Sequence, residues 1–123
     1  MSTVRKPSKY RAVKTEYMGV LYDSRAEAKR AAELDMLVKT DSILWWIRQP
    51  PFTLGVPENK YRPDFLVVRH DGVHVEDVKG VRTAKFNRDV KLWRKYGPCP
   101  LHIVGKTFEI IFPERLEGKG QSS

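Results

Sequence analysis

Cysteine is almost absent from this sequence: Cys99 is the only one in 123 residues, which excludes an internal disulfide and a thiolate zinc cage. Histidine is scarce too, at 3 residues. Cys99 and His102 have the spacing of a ligand pair, yet no second pair accompanies them, and buried structural roles are the simpler expectation. His70 and His74 are scattered, and no Ser/His/Asp nucleophile arrangement can be read. No apolar run approaches the roughly 20 residues of a membrane span, and the opening MSTVRKPSKYRAVK lacks the apolar segment of a signal peptide. A soluble, cytoplasmic protein without a membrane partner is therefore expected. Acidic residues are outnumbered 15 to 23 by Lys and Arg, leaving a net charge of +8. That surplus points to a polyanionic partner, either nucleic acid or an anionic membrane surface.

What is present is enough for one domain with a real core, and too little for two. The expected organisation is a flexible basic arm over 1–14, a folded domain over 15–113 and a flexible tail over 114–123. The arm carries Arg5, Lys6, Lys9, Arg11 and Lys14 with no acid. A short strand is expected at 17–22. A helix follows over 24–39, because Glu27, Ala31, Leu34 and Val38 recur on one face. The segment 43–54 reads as a strand broken by Pro50-Pro51, with Gln49 at its end. Thr83 starts a second helix that runs to Tyr96 and is closed by Gly97 and Pro98. A buried strand at 100–105 and an edge strand at 108–113 complete an α/β pattern.

The chemistry gathers in KYRPDFLVVRHDGVHVEDVKG, residues 60–80. Two Val-rich runs flank Asp71-Gly72, which suits the positive φ angles of a two-residue type I′ turn. Counting back from that turn, Val68 faces Val75, Leu66 faces Asp77 and Asp64 faces Lys79. With a side-chain period of two, Asp64, Asp77 and Lys79 share one face of the sheet, and Glu76 points to the other. A solvated Asp64–Lys79 ion pair would contribute at most about 1 kcal/mol. It would leave Asp77 unexplained, since a second carboxylate beside the first only adds repulsion unless a cation lies between them. Paired carboxylates suit a hard divalent ion such as Mg²⁺, with Mn²⁺ as a substitute. A lysine beside that ion can orient an attacking water or offset charge on a phosphoryl oxygen.

Two further features accompany the cluster. The second helix carries Phe86, Val90 and Trp93 on one side and a basic stripe, Lys85, Arg88, Lys91 and Lys95, on another. Such stripes are often solvated surface; beside an acidic cluster, this one suits phosphate tracking. Ser24-Arg25-Ala26-Glu27 matches a capping box, in which Glu27 bonds back to the helix start, but Glu27 also continues the core-facing stripe and is open to a ligand role.

Pro63-Asp64, then Asp77-Val78-Lys79, after a helix bearing Glu27, resembles the PD-(D/E)xK nuclease superfamily, and most closely its small phage endonucleases and Holliday junction resolvases. SRAE, QP, YRPDF and VEDVKG occur in the order of that group over about residues 10–105. The resemblance implies a single α/β domain of the restriction-endonuclease type, a central mixed β-sheet flanked by helices. It implies Asp64 and Asp77 as metal ligands, with Glu27 as an additional acid and the Val78 carbonyl joining them. Lys79 becomes the catalytic lysine and Gln49 a supporting group. Many resolvases have Glu where Asp77 stands; Glu76 is a rival by chemistry, but the spacing to Lys79 favours Asp77. The expected activity is Mg²⁺-dependent DNA cleavage by a homodimer with branched DNA as substrate, in the cytoplasm of a bacterial host. Trp45 and Trp46, facing opposite ways on a strand, offer apolar material for a dimer interface. A nicking, restriction-type or transposition-type nuclease of the same fold is the nearest alternative. A non-catalytic nucleic-acid-binding module is the alternative from a different class.

Overall fold

A computed structural model describes residues 13–116. Arg5, Lys6, Lys9, Arg11 and the tail from 117 lie outside the described residues. Lys14 is exposed and reaches Asp23 at 3.5 Å.

Two strands, β1 (Thr15–Tyr17) and β2 (Val20–Tyr22), form a small antiparallel hairpin where one strand was expected. Met18 and Gly19 both take positive φ, 53° and 82°, so the turn is of the tight kind that matches strand twist. Helix α1 (Arg25–Lys39) starts at Ser24, whose Oγ accepts a hydrogen bond from the Glu27 amide at 3.1 Å. Its buried side is Ala28, Ala31 and Leu34, whereas Val38 is exposed. The stripe therefore runs one residue off the expected line, which leaves Glu27 half-buried at its margin.

Five strands make the main sheet, β3 (Trp45–Arg48), β6 (Phe65–Arg69), β7 (Gly72–Val78), β8 (Leu101–Val104) and β9 (Phe108–Ile111), in the order β3-β6-β7-β8-β9. Only β7 and β8 are parallel, so the sheet is mixed. Helix α2 (Ala84–Tyr96), capped by Thr83 and ended at Gly97, is the crossover between them. A second small hairpin, β4 (Phe52–Thr53) and β5 (Lys60–Tyr61), fills the interval after Pro50-Pro51. The fold is α/β, a mixed sheet flanked by helices.

Each helix covers a different half of the sheet. On one face Val75, Leu101, Ile103 and Ile111 pack against Phe86, Val90 and Trp93 of α2, with Leu54 and Tyr61 closing the side. On the other, Phe65 and Val67 pack against Ala28, Ala31 and Leu34 of α1 and against Tyr22. The uncovered quarters carry apolar residues: Trp45 and Ile47 of the edge strand are 49% and 44% exposed, while Trp46 points inward, donates to Asp35 at 2.9 Å and meets Phe65 edge-on. Residues 114–116 continue the fold as a helical turn tied by Arg115 to the carbonyls of Tyr96 and Gly97 at 3.3 and 3.2 Å, so the packed chain extends past the expected tail boundary. No helix among the described residues is long and apolar enough to cross a membrane.

Candidate active site

The β6-β7 register differs from the sequence expectation. Val68 pairs with Val73, Leu66 with Val75 and Arg69 with Gly72, so the turn is centred on His70-Asp71 and not on Asp71-Gly72. Neither His70 nor Asp71 has positive φ; Gly72, after them, takes φ 152°. The glycine thus supplies its conformational freedom at the end of the turn and not within it. The slip is two residues, an even number, so every side chain keeps its face. Continuing the pairing one residue beyond Phe65 and Glu76 sets Asp64 directly opposite Asp77, in place of Lys79.

Asp64, Asp77 and Lys79 do come together, in an open cleft of about 510 Å³ between the sheet, the β4-β5 hairpin and the start of α2. Lys79 Nζ lies 3.4 Å from Asp77 Oδ1 and 4.6 Å from the centroid of the Phe86 ring. The other Asp77 oxygen accepts a hydrogen bond from the Tyr61 hydroxyl, which is buried with it. Asp64 Oδ2 accepts from the Val78 amide at 2.7 Å. The Asp64 carbonyl accepts from the Gln49 amide at 2.8 Å, and Gln49 takes a φ of 51° to make that bond. A left-handed conformation is costly for a residue other than glycine. Gln49 therefore supports the site through its backbone.

The two carboxyls line the same cleft, near enough for the charge of one to act on the other. Burial, then the charge of Asp77, then that of Glu27 push the Asp64 carboxyl up to about 9. Burial likewise raises Glu27, with Asp23 and Asp77 adding to it. Glu27 is therefore close enough to feel the pair electrostatically, although it does not line the cleft. Its carboxylate stands 3.5 Å from Ser24 Oγ, and only the Ser24 half of the capping box is formed. Glu27→Gln keeps that half, because the bond to Ser24 uses the backbone amide. Under the nuclease resemblance, the expected result is an unchanged or slightly raised melting temperature with reduced Mg²⁺-dependent cleavage; full activity would leave Glu27 outside the site.

Sequence reading missed four groups of the cleft: Lys60, Tyr61, Arg62 and Asp89. Asp89 was within reach, since it lies on the buried side of α2 with Phe86, Val90 and Trp93; an acid in an apolar stripe is a signal. It is buried and paired with Lys85 at 3.1 Å. Of the expected basic stripe, Lys85 lines the cleft and Arg88 donates to Asn59 at 2.7 Å. Lys91 and Lys95 are exposed further along the helix.

Glu76 points to the opposite face, as its parity requires. There His74, Glu76 and His102 could converge on a metal ion. Arg30 holds Glu76 through Nε and Nη2 at 2.7 and 2.9 Å. His74 Nδ1 accepts from Arg69, leaving Nε2 to bond Glu76 at 2.8 Å. Burial alone would raise the Glu76 carboxyl, but the hydrogen bonds from Arg30 and His74 outweigh it and hold the group at about 2. Burial, aided by His74 stacked at 3.7 Å, lowers the His102 imidazole to about 4. The network satisfies its own charges. Burial pushes the Cys99 thiol up to about 11, in keeping with an inert structural cysteine.

A family model described as a protein of unknown function, DUF1064, matches residues 7–110, and the chain belongs to that family. No curated protein and no solved structure matches the chain.

Proposed function

We propose that this member of the DUF1064 family is a Mg²⁺-dependent DNA endonuclease that acts on branched substrates. The observation that carries the reading is the Asp64–Asp77 pair: a buried carboxyl beside a half-buried one on neighbouring strands, opening into a cleft rimmed by Lys60, Arg62, Lys79 and Lys85. An acid pair is a poor element of a fold unless a cation neutralises it, and a set of oxygen donors fits a hard divalent ion. Asp64 and Asp77 would hold that ion, which supplies Lewis-acid polarisation of a phosphoryl oxygen and a more acidic water.

The remaining chemistry belongs to the chain. Tyr61 and the Val78 amide fix the carboxylates, and the Gln49 amide fixes the Asp64 backbone, before substrate arrives. That preorganisation is where much of the rate enhancement of such sites originates. Lys79, held between Asp77 and the Phe86 ring, is placed to orient the attacking water and to offset charge on the phosphoryl oxygen. Water adds to phosphorus and gives up a proton to solvent, the bond to the leaving sugar oxygen breaks, and that oxygen takes a proton from solvent to leave as a hydroxyl. Lys60, Arg62 and Lys85 hold flanking phosphates.

The direct test is a cleavage panel of four-way junction, Y-fork, linear duplex and single strand, each with Mg²⁺ and with EDTA. Cleavage of the branched substrates in Mg²⁺ alone supports the reading; inactivity on all four sinks it. The apolar residues Trp45 and Ile47 on edge strand β3 support a homodimer, because two symmetry-related cuts in a junction require two sites. Light scattering should give twice the chain mass, and a monomer bound to junctions would remove the resolvase reading. Lys79→Ala should slow single-turnover cleavage by about tenfold while affinity in EDTA changes little. Equal losses in both would make Lys79 a simple phosphate contact.

A further inference from the structure

Lys79 borders a second cleft. Strands β7 and β8 run parallel and end side by side, at Val78-Lys79-Gly80 and Val104-Gly105-Lys106. The strand ends are pressed together so closely that a methyl group on Gly105 would fall 2.3 Å from the Lys79 carbonyl oxygen. From the α1 face, the first turns of that helix lie beside these ends and form an open cleft of about 440 Å³. Its floor is apolar, made by Ala26, Val78 and Val104. Its cations are Lys29 and Lys106; Lys79 joins the lining, but its ammonium lies towards Asp77 and Phe86. The acid on the rim, Glu33, is tied to Arg30 at 3.1 Å, and Arg30 also serves Glu76. Lys29 and Lys106 have no ion-pair partner among the described residues.

The volume falls within the range of roughly 300–1,000 Å³ typical of small-ligand sites. An apolar floor under lysines suits a nucleotide unit, with sugar or base on the valines and phosphate on the ammonium groups. The two clefts lie on opposite faces of the sheet and both include Lys79. A strand seated in one can enter the other only by turning over the strand ends at that lysine. B-form duplex, with a persistence length of about 150 base pairs, does not turn so sharply. A strand that has left its duplex does.

We propose that the α1-side cleft is a subsite for an unpaired or diverging strand, which it holds next to the scissile phosphodiester through Lys29 and Lys106. The proposal rests on the nuclease reading of the Asp64–Asp77 cleft and sharpens its substrate class: the branch itself is recognised, by a groove that only a strand freed from its partner can follow.

The test uses the full chain and binding in EDTA, where no cleavage intervenes. Fluorescence anisotropy compares a Y-fork with single-stranded arms and a linear duplex of equal length, over a salt titration, for the parent and for Lys29→Ala/Lys106→Ala. The double variant is expected to bind the fork about tenfold more weakly, with its salt slope reduced by about 1.4, or 0.7 for each lost contact to a single strand. Its affinity for the duplex and its melting temperature should not move. Lys29→Arg/Lys106→Arg should restore fork binding. Equal losses on fork and duplex would reduce the lysines to general attraction and overturn the proposal, as would unchanged fork binding or a parent that binds neither DNA. The nuclease reading fails separately: a parent that binds the fork through these lysines yet cuts nothing in Mg²⁺ keeps the cleft and loses the catalysis.

Discussion

Asp77→Asn and Asp64→Asn should each reduce Mg²⁺-dependent cleavage by roughly two to three orders of magnitude, the scale on which one electrostatic group is missed from a preorganised site. Both variants should bind DNA in EDTA at least as tightly as the parent. The asymmetry follows from the geometry. Without a cation the charge shared by the pair repels phosphate, so replacing either carboxyl by an amide does not weaken binding, while it removes a donor from the metal site. Neither change empties the hydrogen-bond pattern, because an asparagine oxygen can still accept from the Val78 amide at position 64 or from the Tyr61 hydroxyl at position 77. The variants should therefore fold, which a thermal melt verifies. Undiminished activity in either purified variant would remove the metal-dependent mechanism.

Metal affinity should depend steeply on pH. The Asp64 carboxyl titrates at about 9 in the folded chain, against a usual value near 4, so an arriving divalent ion must displace a proton. Each pH unit below 9 then weakens apparent binding about tenfold, and affinity should rise about a hundredfold from pH 6 to pH 8. In the metal-free protein the sign is opposite for stability. A raised carboxyl contributes stability that is complete below pH 4 and is lost as pH climbs towards 9. His102 and Glu76, both lowered, act the other way. Their stability is present above about pH 6.5 and 4.5 respectively, and is lost as pH falls through 4 and 2. The increase in melting temperature caused by Mn²⁺ or Mg²⁺ should accordingly be larger at pH 8 than at pH 6 and should vanish in Asp64→Asn. Titration calorimetry in buffers of different ionisation enthalpy should show close to one proton released per ion at pH 7. An affinity flat across this range would exclude a shared proton at the pair.

The β-hairpin shows why so much of the site was legible. Side chains on a strand alternate, so the face of Asp64, Asp77 and Lys79 depends on parity alone, and a register error of two residues leaves it intact. Which residue faces which does not survive such an error: Asp64 proved to oppose Asp77 because the turn sits one residue earlier than the Asp-Gly pair suggested. Helix α2 was legible from its cap to its closing glycine, since Thr83, the apolar stripe and Gly97 all act within a few residues of each other. Tyr61 was not, because it reaches Asp77 from the β4-β5 hairpin, outside the main sheet. Periodicity carries no information across that break. The first hairpin was hidden by its brevity, three residues to a strand. Its Met18-Gly19 turn was the local sign. Glu27 was found for its chemistry, yet the helix phase that sets its distance from the pair depends on packing against Tyr22 and Phe65.

Position 105 imposes a rule on any attempt to vary this protein. The missing side chain of Gly105 is what allows β8 to lie against the Lys79 backbone, and the obstacle is a carbonyl that cannot swing aside. A library randomised at this codon should yield active clones almost exclusively as glycine. At Gly80, where a Cβ would meet nothing within 4 Å, the same library should tolerate most residues. Two glycines that a composition count treats alike would thus differ completely in mutational tolerance. The intolerant one is 26 residues away in sequence from the lysine whose position it guards.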